Sequence, residues 1–285
     1  MIIVTGATGA LNAATVEHLL TLVPADRIGV SVRDVAKAQH LAERGVRVRR
    51  GAYDDPAALL DSFEGAEQVL LVSSNDPGGD QVPLHRAGIE TAVKAGAHRI
   101  LYTSHQHVGR GSPFVPARVH AATEALLADS GVAWTSLRNG FYAHTLDWML
   151  GPWRETGVIA APADGLVSWT DRGDEAEAAA VILASLRPYD GPVTLTAEAA
   201  VTFDDIAAMA SELTGREVRR VVMDDEEWVA AQVAHGSAEP MARMLLGFFQ
   251  AARQGAFAGV DPLLGELLGR EPRTVRDLLA ERAAA

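Results

Sequence analysis

The stretch "VTGATGALNAATVEHLL", residues 4 to 20, restricts this chain more than any other. The apolar run Ile2-Ile3-Val4 reads as a short strand. Gly6 and Gly9 mark a tight turn, and a helix carrying Leu11, Val16, Leu19 and Leu20 follows. A strand that feeds a helix through a glycine turn opens a βαβ unit. It also brings a helix N-terminus, with its unpaired N–H groups and favourable dipole, to the end of the strand. Glycines three apart predict a third glycine at position 12, where this chain has Asn12.

The same alternation continues to about residue 140. Strands are predicted at Ile2 to Thr5, Ile28 to Val32, Val46 to Val48, Val69 to Ser73, Ile100 to Ser104 and Val132 to Leu137. Helical segments lie between them. Asp34 is placed to cap "DVAKAQHLAERG", and Asp55-Pro56 gives a cap and first-turn proline for "PAALLDSF". Six strands spaced by helices predict an α/β fold: a doubly wound, Rossmann-type parallel sheet. Past residue 140 the rhythm changes. "FYAHTLDWMLGPWRETG" reads as an amphipathic helix, and "LVSWT", "GPVTLTA" and "EVRRVVM" as short strands. The expected division is a nucleotide-binding domain over 1–140 and a smaller mixed α/β substrate lobe over 141–285, with some of its strands joining the main sheet. Met241, Met244, Leu245, Phe248 and Phe249 form a helical stripe that core packing, a dimer seam or a substrate wall would each explain, with core favoured. The "ERAAA" tail is expected to fray.

Composition narrows the function classes. The net charge of -12 argues against nucleic-acid binding, which shows a basic footprint. With no cysteine, disulfides, thiolate metal sites and thiol catalysis are excluded. The start "MIIVTG" carries no targeting pattern and no window suits a membrane span, so a cytoplasmic protein is expected.

The glycine spacing alone is weak, but here it sits between a strand and a helix, as a dinucleotide site requires. Arg33 ends the second strand, where an arginine accommodates the 2′-phosphate of NADP and an acid would take the ribose of NAD. Lys37 adds charge one turn on. NADPH is therefore expected over NADH. Asp34 is expected to cap rather than touch the ribose. Asn12 would either crowd the helix against its strand or the cofactor, or aim its amide at a phosphate.

"VTGATGALN", "VRDVAKAQHL", "LLVSS", "ILYTS", "HAATEALLADSGVAWTSLRNGFY" and "LTGREVRRV" together resemble the NmrA-like branch of the atypical short-chain dehydrogenase/reductases. Within it they are similar to type 2 NADPH:quinone oxidoreductases and triphenylmethane reductases. The resemblance implies that Gly6, Thr8, Gly9, Ala10 and Leu11 meet the pyrophosphate and Arg33 the 2′-phosphate, with Asn12 departing from the usual third glycine. It implies Asp54 near the adenine, and Ser73, Ser74 and Thr103 beside the ribose and nicotinamide. The Tyr-xxx-Lys pair of typical short-chain reductases is missing. In that region stand His120 and Glu124, either an acid with its orienting carboxylate or a plain polar pair one helical turn apart.

Further candidates follow the fifth and sixth strands. Ser104 and Tyr142, with His120, are candidate catalytic residues, and His105, Arg138, Asn139 and Tyr142 candidate pocket residues. Asn139-Gly140 is equally an ordinary turn. His105 and His107 lack a third ligand by spacing, so no metal is expected. His18, His40, His98 and His235 read as helix or surface residues. The expected activity is NADPH-dependent hydride transfer to a quinone-like or extended aromatic small molecule, in a chain that can form a homodimer. Two rivals stay open: an NADP-binding redox sensor acting through a protein partner, and a tailoring ketoreductase of an aromatic metabolite.

Overall fold

A computed structural model describes residues 1–74 and 80–284. β1 (Ile2–Thr5) is buried along its whole length, as a central parallel strand covered on both faces must be. It leads into α1 (Ala10–Leu22), then β2 (Ile28–Val32), α2 (Gln39–Ala42), β3 (Arg47–Arg50), α3 (Pro56–Ser62), β4 (Gln68–Leu71), α4 (Gln81–Lys94), β5 (Arg99–His105), α5 (Val115–Ala128) and β6 (Ala133–Asn139). The rest comprises β7 (Phe141–Tyr142), α6 (Leu146–Met149), α7 (Trp153–Thr156), β8 (Val158–Pro162), β9 (Trp169–Thr170), α8 (Arg172–Ala184), β10 (Gly191–Leu195), α9 (Phe203–Thr214), β11 (Arg219–Met223), α10 (Asp225–Ala234), α11 (Glu239–Arg253), α12 (Leu263–Leu268) and α13 (Val275–Ala284).

The main sheet has seven strands in the order β3-β2-β1-β4-β5-β6-β10. It is a parallel sheet with helices on both faces, the expected doubly wound architecture. β1 pairs in parallel with β2 on one side and β4 on the other, so strand order reverses between β1 and β4. That reversal opens a crevice at the carboxyl edge, where α/β folds bind ligands.

The chain divides into two compact units, each assembled from separate pieces. The first comprises Met1–His105, Val119–Arg138 and Gly173–Thr194; the second comprises Gln106–Arg118, Asn139–Arg172 and Leu195–Ala285. A single cut at 140 meets the end of β6, but β10 returns beside β6 to cover the sheet's edge. The first unit packs Ile3, Leu59, Phe63, Val69, Ile100 and Tyr102 in its core. The second packs Phe114, Trp169, Phe203, Phe248, Phe249 and Phe257. Its short strands pair β11 with β8 and β7 with β9, both in parallel.

Local chemistry explains where the elements differ from expectation. The segment 141–157 is not one helix. Phe141 and Tyr142 pair with Trp169 and Thr170, and Gly151, at φ +61°, stands before Pro152 to separate α6 from α7. The helix expected after Asp34 is a 3₁₀ turn followed by the four-residue α2. The Asp34 carboxylate accepts from Ala36 N–H at 3.0 Å, the expected cap, and Asp55 accepts from Ala58 N–H at 3.1 Å. In the α11 stripe Phe248 and Phe249 are core and Met244 and Leu245 pack against it, while Met241 is exposed. The tail is helical to Ala284, and Ala285 lies outside the described residues.

Candidate functional site

The site is built at the carboxyl edge of the first unit. Gly6, at φ +63°, occupies the left-handed region that favours glycine. A Cβ there would stand 2.6 Å from Val72 Cγ1, so the turn after β1 and the segment after β4 seat directly on each other. Gly9 caps α1 with no side-chain hydrogen bond, and the first turn of α1 holds no acidic residue. Thr8, Gly9 and Ala10 are exposed and Leu11 is half-buried. Among the described residues no side chain caps the leading N–H groups of α1, which fits an anionic group such as a pyrophosphate.

Asn12 neither crowds the helix nor reaches toward that opening. It is buried, and its Nδ2 donates to the Thr5 carbonyl at 2.8 Å. The carbonyl partner fixes which end of the amide is nitrogen. Both orientations expected from the sequence are thereby replaced by a latch between α1 and β1. Its buried Oδ1 has no hydrogen-bond partner among the described residues.

Arg33 just past β2, Lys37 in the 3₁₀ turn that follows, and Asp54 in the segment after β3 are exposed. Neither cation makes an ion pair among the described residues. Arg50, in register with Val32, is held instead by Asp55 at 2.7 Å.

Across the crevice, three consecutive backbone N–H groups are each held by a side chain from a different element. Val72 N–H donates to Thr5 Oγ1 at 2.8 Å, Ser73 N–H to Thr103 Oγ1 at 2.8 Å, and Ser74 N–H to His85 Nε2 at 2.8 Å. The Val72 carbonyl accepts from Tyr53 Oη at 2.8 Å, and burial raises that phenol's pKa. Beyond the end of β4 the sheet ladder no longer serves these groups, and side chains take its place. Thr5, Tyr53 and His85 were not singled out from the sequence. Each acts on backbone far away along the chain, and a lone threonine, tyrosine or histidine carries no local signal.

Behind this segment lies a buried network of His85, Tyr102, Thr123 and His120. His85 Nδ1 meets Thr123 Oγ1 at 2.8 Å, and Tyr102 Oη meets His120 Nδ1 at 2.8 Å. The His105 ring stacks edge-on against His120, with centroids 4.8 Å apart. Burial pulls the His85 imidazole down to about 4. Burial first, then His105 and His85, holds His120 well below its ordinary value. His120 is therefore neutral near pH 7, which suits a hydrogen-bonding residue better than an acid.

Glu124 does not orient His120, nor is it a simple partner on the helix face. It is buried and accepts from Ser104 Oγ at 3.1 Å, Ser136 Oγ at 2.7 Å, and Arg138 Nε and Nη2 at 3.0 and 2.6 Å. The Ser104 hydroxyl is thus turned toward a carboxylate, and Arg138 is held in a two-pronged grip. In the second unit, Asn139 is buried and its Nδ2 lies 3.4 Å from Tyr142 Oη. Asn139-Gly140 is not a turn, because β7 begins at Phe141 directly after β6 ends. A Cβ on Gly140 would fall 2.0 Å from Thr170 Oγ1, so glycine is needed for close passage. Among the described residues no group of three histidine, aspartate or glutamate side chains could hold a metal ion. Nor is any described helix long and apolar enough to cross a membrane.

The NmrA-like family model matches residues 1–268. Quinone oxidoreductase 2 of Escherichia coli is 36% identical, over 97% of this chain and 96% of that protein. An E. coli NADPH-dependent quinone oxidoreductase crystallised with NADPH superposes with a TM-score of 0.92 at 35% identity, covering 100% of this chain and 99% of that one. The Citrobacter sp. triphenylmethane reductase complexed with NADP(H) superposes with a TM-score of 0.89 at 31% identity, covering 99% and 100%.

Proposed function

The chain belongs to the NmrA-like family, and from that premise we propose that it is an NADPH-dependent oxidoreductase that passes hydride to a quinone-like or extended aromatic acceptor. The observation that carries this reading is the open N-terminus of α1 behind the positive-φ Gly6, at the point where strand order reverses. The N–H groups of Ala10, Leu11 and Asn12, with Thr8 and the two glycines, hold the pyrophosphate. Arg33 and Lys37 take the 2′-phosphate, and Asp54 lies toward the adenine. Ser73, Ser74 and Thr103 flank the ribose and nicotinamide. The first unit is the nucleotide-binding part and the second the acceptor-binding part.

The bound nicotinamide supplies the hydride, and the protein supplies position and exclusion of water. The buried, neutral His120 favours an acceptor that needs no protein acid. A quinone takes hydride at an electron-poor centre and draws its proton from water. A ketone reduced to an alkoxide would need a positioned acid.

The test is steady-state oxidation of NADPH and NADH against a panel of quinones. Turnover with NADPH preferred is expected, and His120→Ala should lower kcat by much less than about a hundredfold. NADPH binding without turnover on any quinone or extended aromatic acceptor would replace this reading with a redox sensor. A loss beyond about a hundredfold in a folded His120→Ala variant would move it toward carbonyl reduction.

A further inference from the structure

The short hydrogen bonds at the two ring nitrogens of His85 have assigned directions. Ser74 N–H can only donate, so His85 Nε2 carries no proton and Nδ1 carries it. Nδ1–H then donates to Thr123 Oγ1, whose own hydroxyl donates to the Val119 carbonyl at 2.9 Å. The Tyr102 hydroxyl lies 3.4 Å from Nδ1 and 2.8 Å from His120 Nδ1. A buried ring on α4 is therefore fixed in one tautomer by α5, and that tautomer is the one that can receive the Ser74 amide.

The position of that amide gives the arrangement its use. Val72 to Ser74 follow β4, on the opposite side of the strand-order reversal from the glycine turn, and Val72 is seated against Gly6. Thr5 and Thr103 pin the first two N–H groups from β1 and β5, the strands flanking β4. The third lies one residue farther out and donates to His85 of α4.

We propose that His85 is a positioning residue for cofactor binding: it fixes the backbone at Ser74 and so sets the crevice wall against which the nicotinamide end of NADPH lies. This rests on the functional reading above. His85 touches no reacting atom. It acts through the Ser74 amide, while Thr123 keeps the ring in the accepting tautomer.

Two isosteric substitutions separate this role from simple packing. In His85→Gln the amide carbonyl reaches the place of Nε2 and can accept from Ser74. In His85→Asn it ends near the place of Nδ1 and cannot. NADPH affinity is read by calorimetry, and exchange of the Ser74 amide is read on cofactor-free protein. The glutamine variant is expected to bind NADPH within about threefold of the parent with Ser74 protected. The asparagine variant should bind at least about fivefold more weakly, with Ser74 exchanging faster. Equal affinity and equal protection in both variants would overturn the role of His85 while leaving the function intact. A parent that binds no NADPH would overturn the functional reading, and the positioning role with it.

Discussion

The two flanks of the crevice in the first unit are built in opposite ways. On the β1–β2 side stand the uncapped N–H groups of α1 and the exposed side chains of Arg33 and Lys37, which make no ion pair among the described residues. On the β4–β5 side, Thr5, Thr103, His85 and Tyr53 fix successive backbone groups, and Glu124 gathers Ser104, Ser136 and Arg138. The first flank offers unspent hydrogen-bonding capacity to a charged ligand. The second has spent its capacity on its own geometry. A phosphate tolerates adjustable partners because charge acts over some distance, whereas a reacting ring must be held closely, since small misplacements cost large factors in rate.

The largest contrast should come from removing one ion-pair partner on each flank. Glu124→Ala strips a buried carboxylate from Arg138 and from two serine hydroxyls. Breaking a buried pair costs about 3–5 kcal/mol. Arg138 remains 28% exposed and can recover some water, so the lower end, about 3 kcal/mol, is expected. Arg50→Ala breaks a pair whose partners are 60% and 36% exposed and screened by solvent, and should cost far less. Urea unfolding measures both. Similar costs for the two would show that the flanks do not differ in the way described.

Acid should act on the buried flank. A histidine kept neutral by burial opposes folding once the unfolded chain takes up protons. His85 lies at about 4 when folded, against an ordinary value of 6.5. Between those values the unfolded state binds more protons, so stability rises with pH through the window and is complete above it. As pH falls from 6.5 to about 4 the loss attributable to His85 is about 3 kcal/mol, and His120, lowered for the same reason, adds in the same direction. Among the described residues the groups shown against His85 are the Tyr53 and Tyr102 rings, Thr123, the Ser74 amide and His120, none of them an anion that would hold a charged imidazole. Unfolding midpoints should fall less steeply from pH 7 to pH 4 for His85→Gln than for the parent. Parallel curves would mean that the ring is free to charge in the native state.

On the open flank the expected effect is on a ligand rather than on stability. Arg33→Ala should weaken NADPH by about tenfold, one charge-assisted hydrogen bond, and leave NADH nearly unchanged. Equal losses for both cofactors would show that Arg33 reads something other than the 2′-phosphate.

This difference also decides what could be read from the chain. Gly6, Gly9 and the apolar residues of α1 lie within one short segment, and each predicted strand of the main sheet up to β6 lies within about two residues of an observed one. The buried flank depends on contacts across the fold: Thr5 with Val72, His85 with Thr123, Glu124 with Ser104 and Arg138. No spacing rule joins such pairs. Glu124 was noticed for its distance from His120 along the helix, yet its side chain bonds to β5 and β6. The segment 141–157 misled for a related reason. Its apolar residues have helical spacing, but Phe141 and Tyr142 find strand partners in Trp169 and Thr170.

Asn12 stands between the two kinds of construction and carries the smallest expected effect. It occupies the open flank's motif but behaves like the buried flank, spending its Nδ2 on the Thr5 carbonyl at 2.8 Å. Replacing it with glycine removes that hydrogen bond, worth about 1 kcal/mol, and places a glycine inside α1 at a cost of about 0.5–1 kcal/mol. It also removes a buried Oδ1 that has no partner among the described residues, which returns part of the loss. The net destabilisation should be about 1 kcal/mol. NADPH affinity should stay within about threefold, because the amide faces the strand and the first-turn N–H groups are unchanged. Thermal unfolding and calorimetric titration of Asn12→Gly test the two halves separately. A gain in NADPH affinity beyond about tenfold would show that Asn12 obstructs the phosphate site, and the latch on Thr5 would then be a feature of a site that had lost part of its ligand.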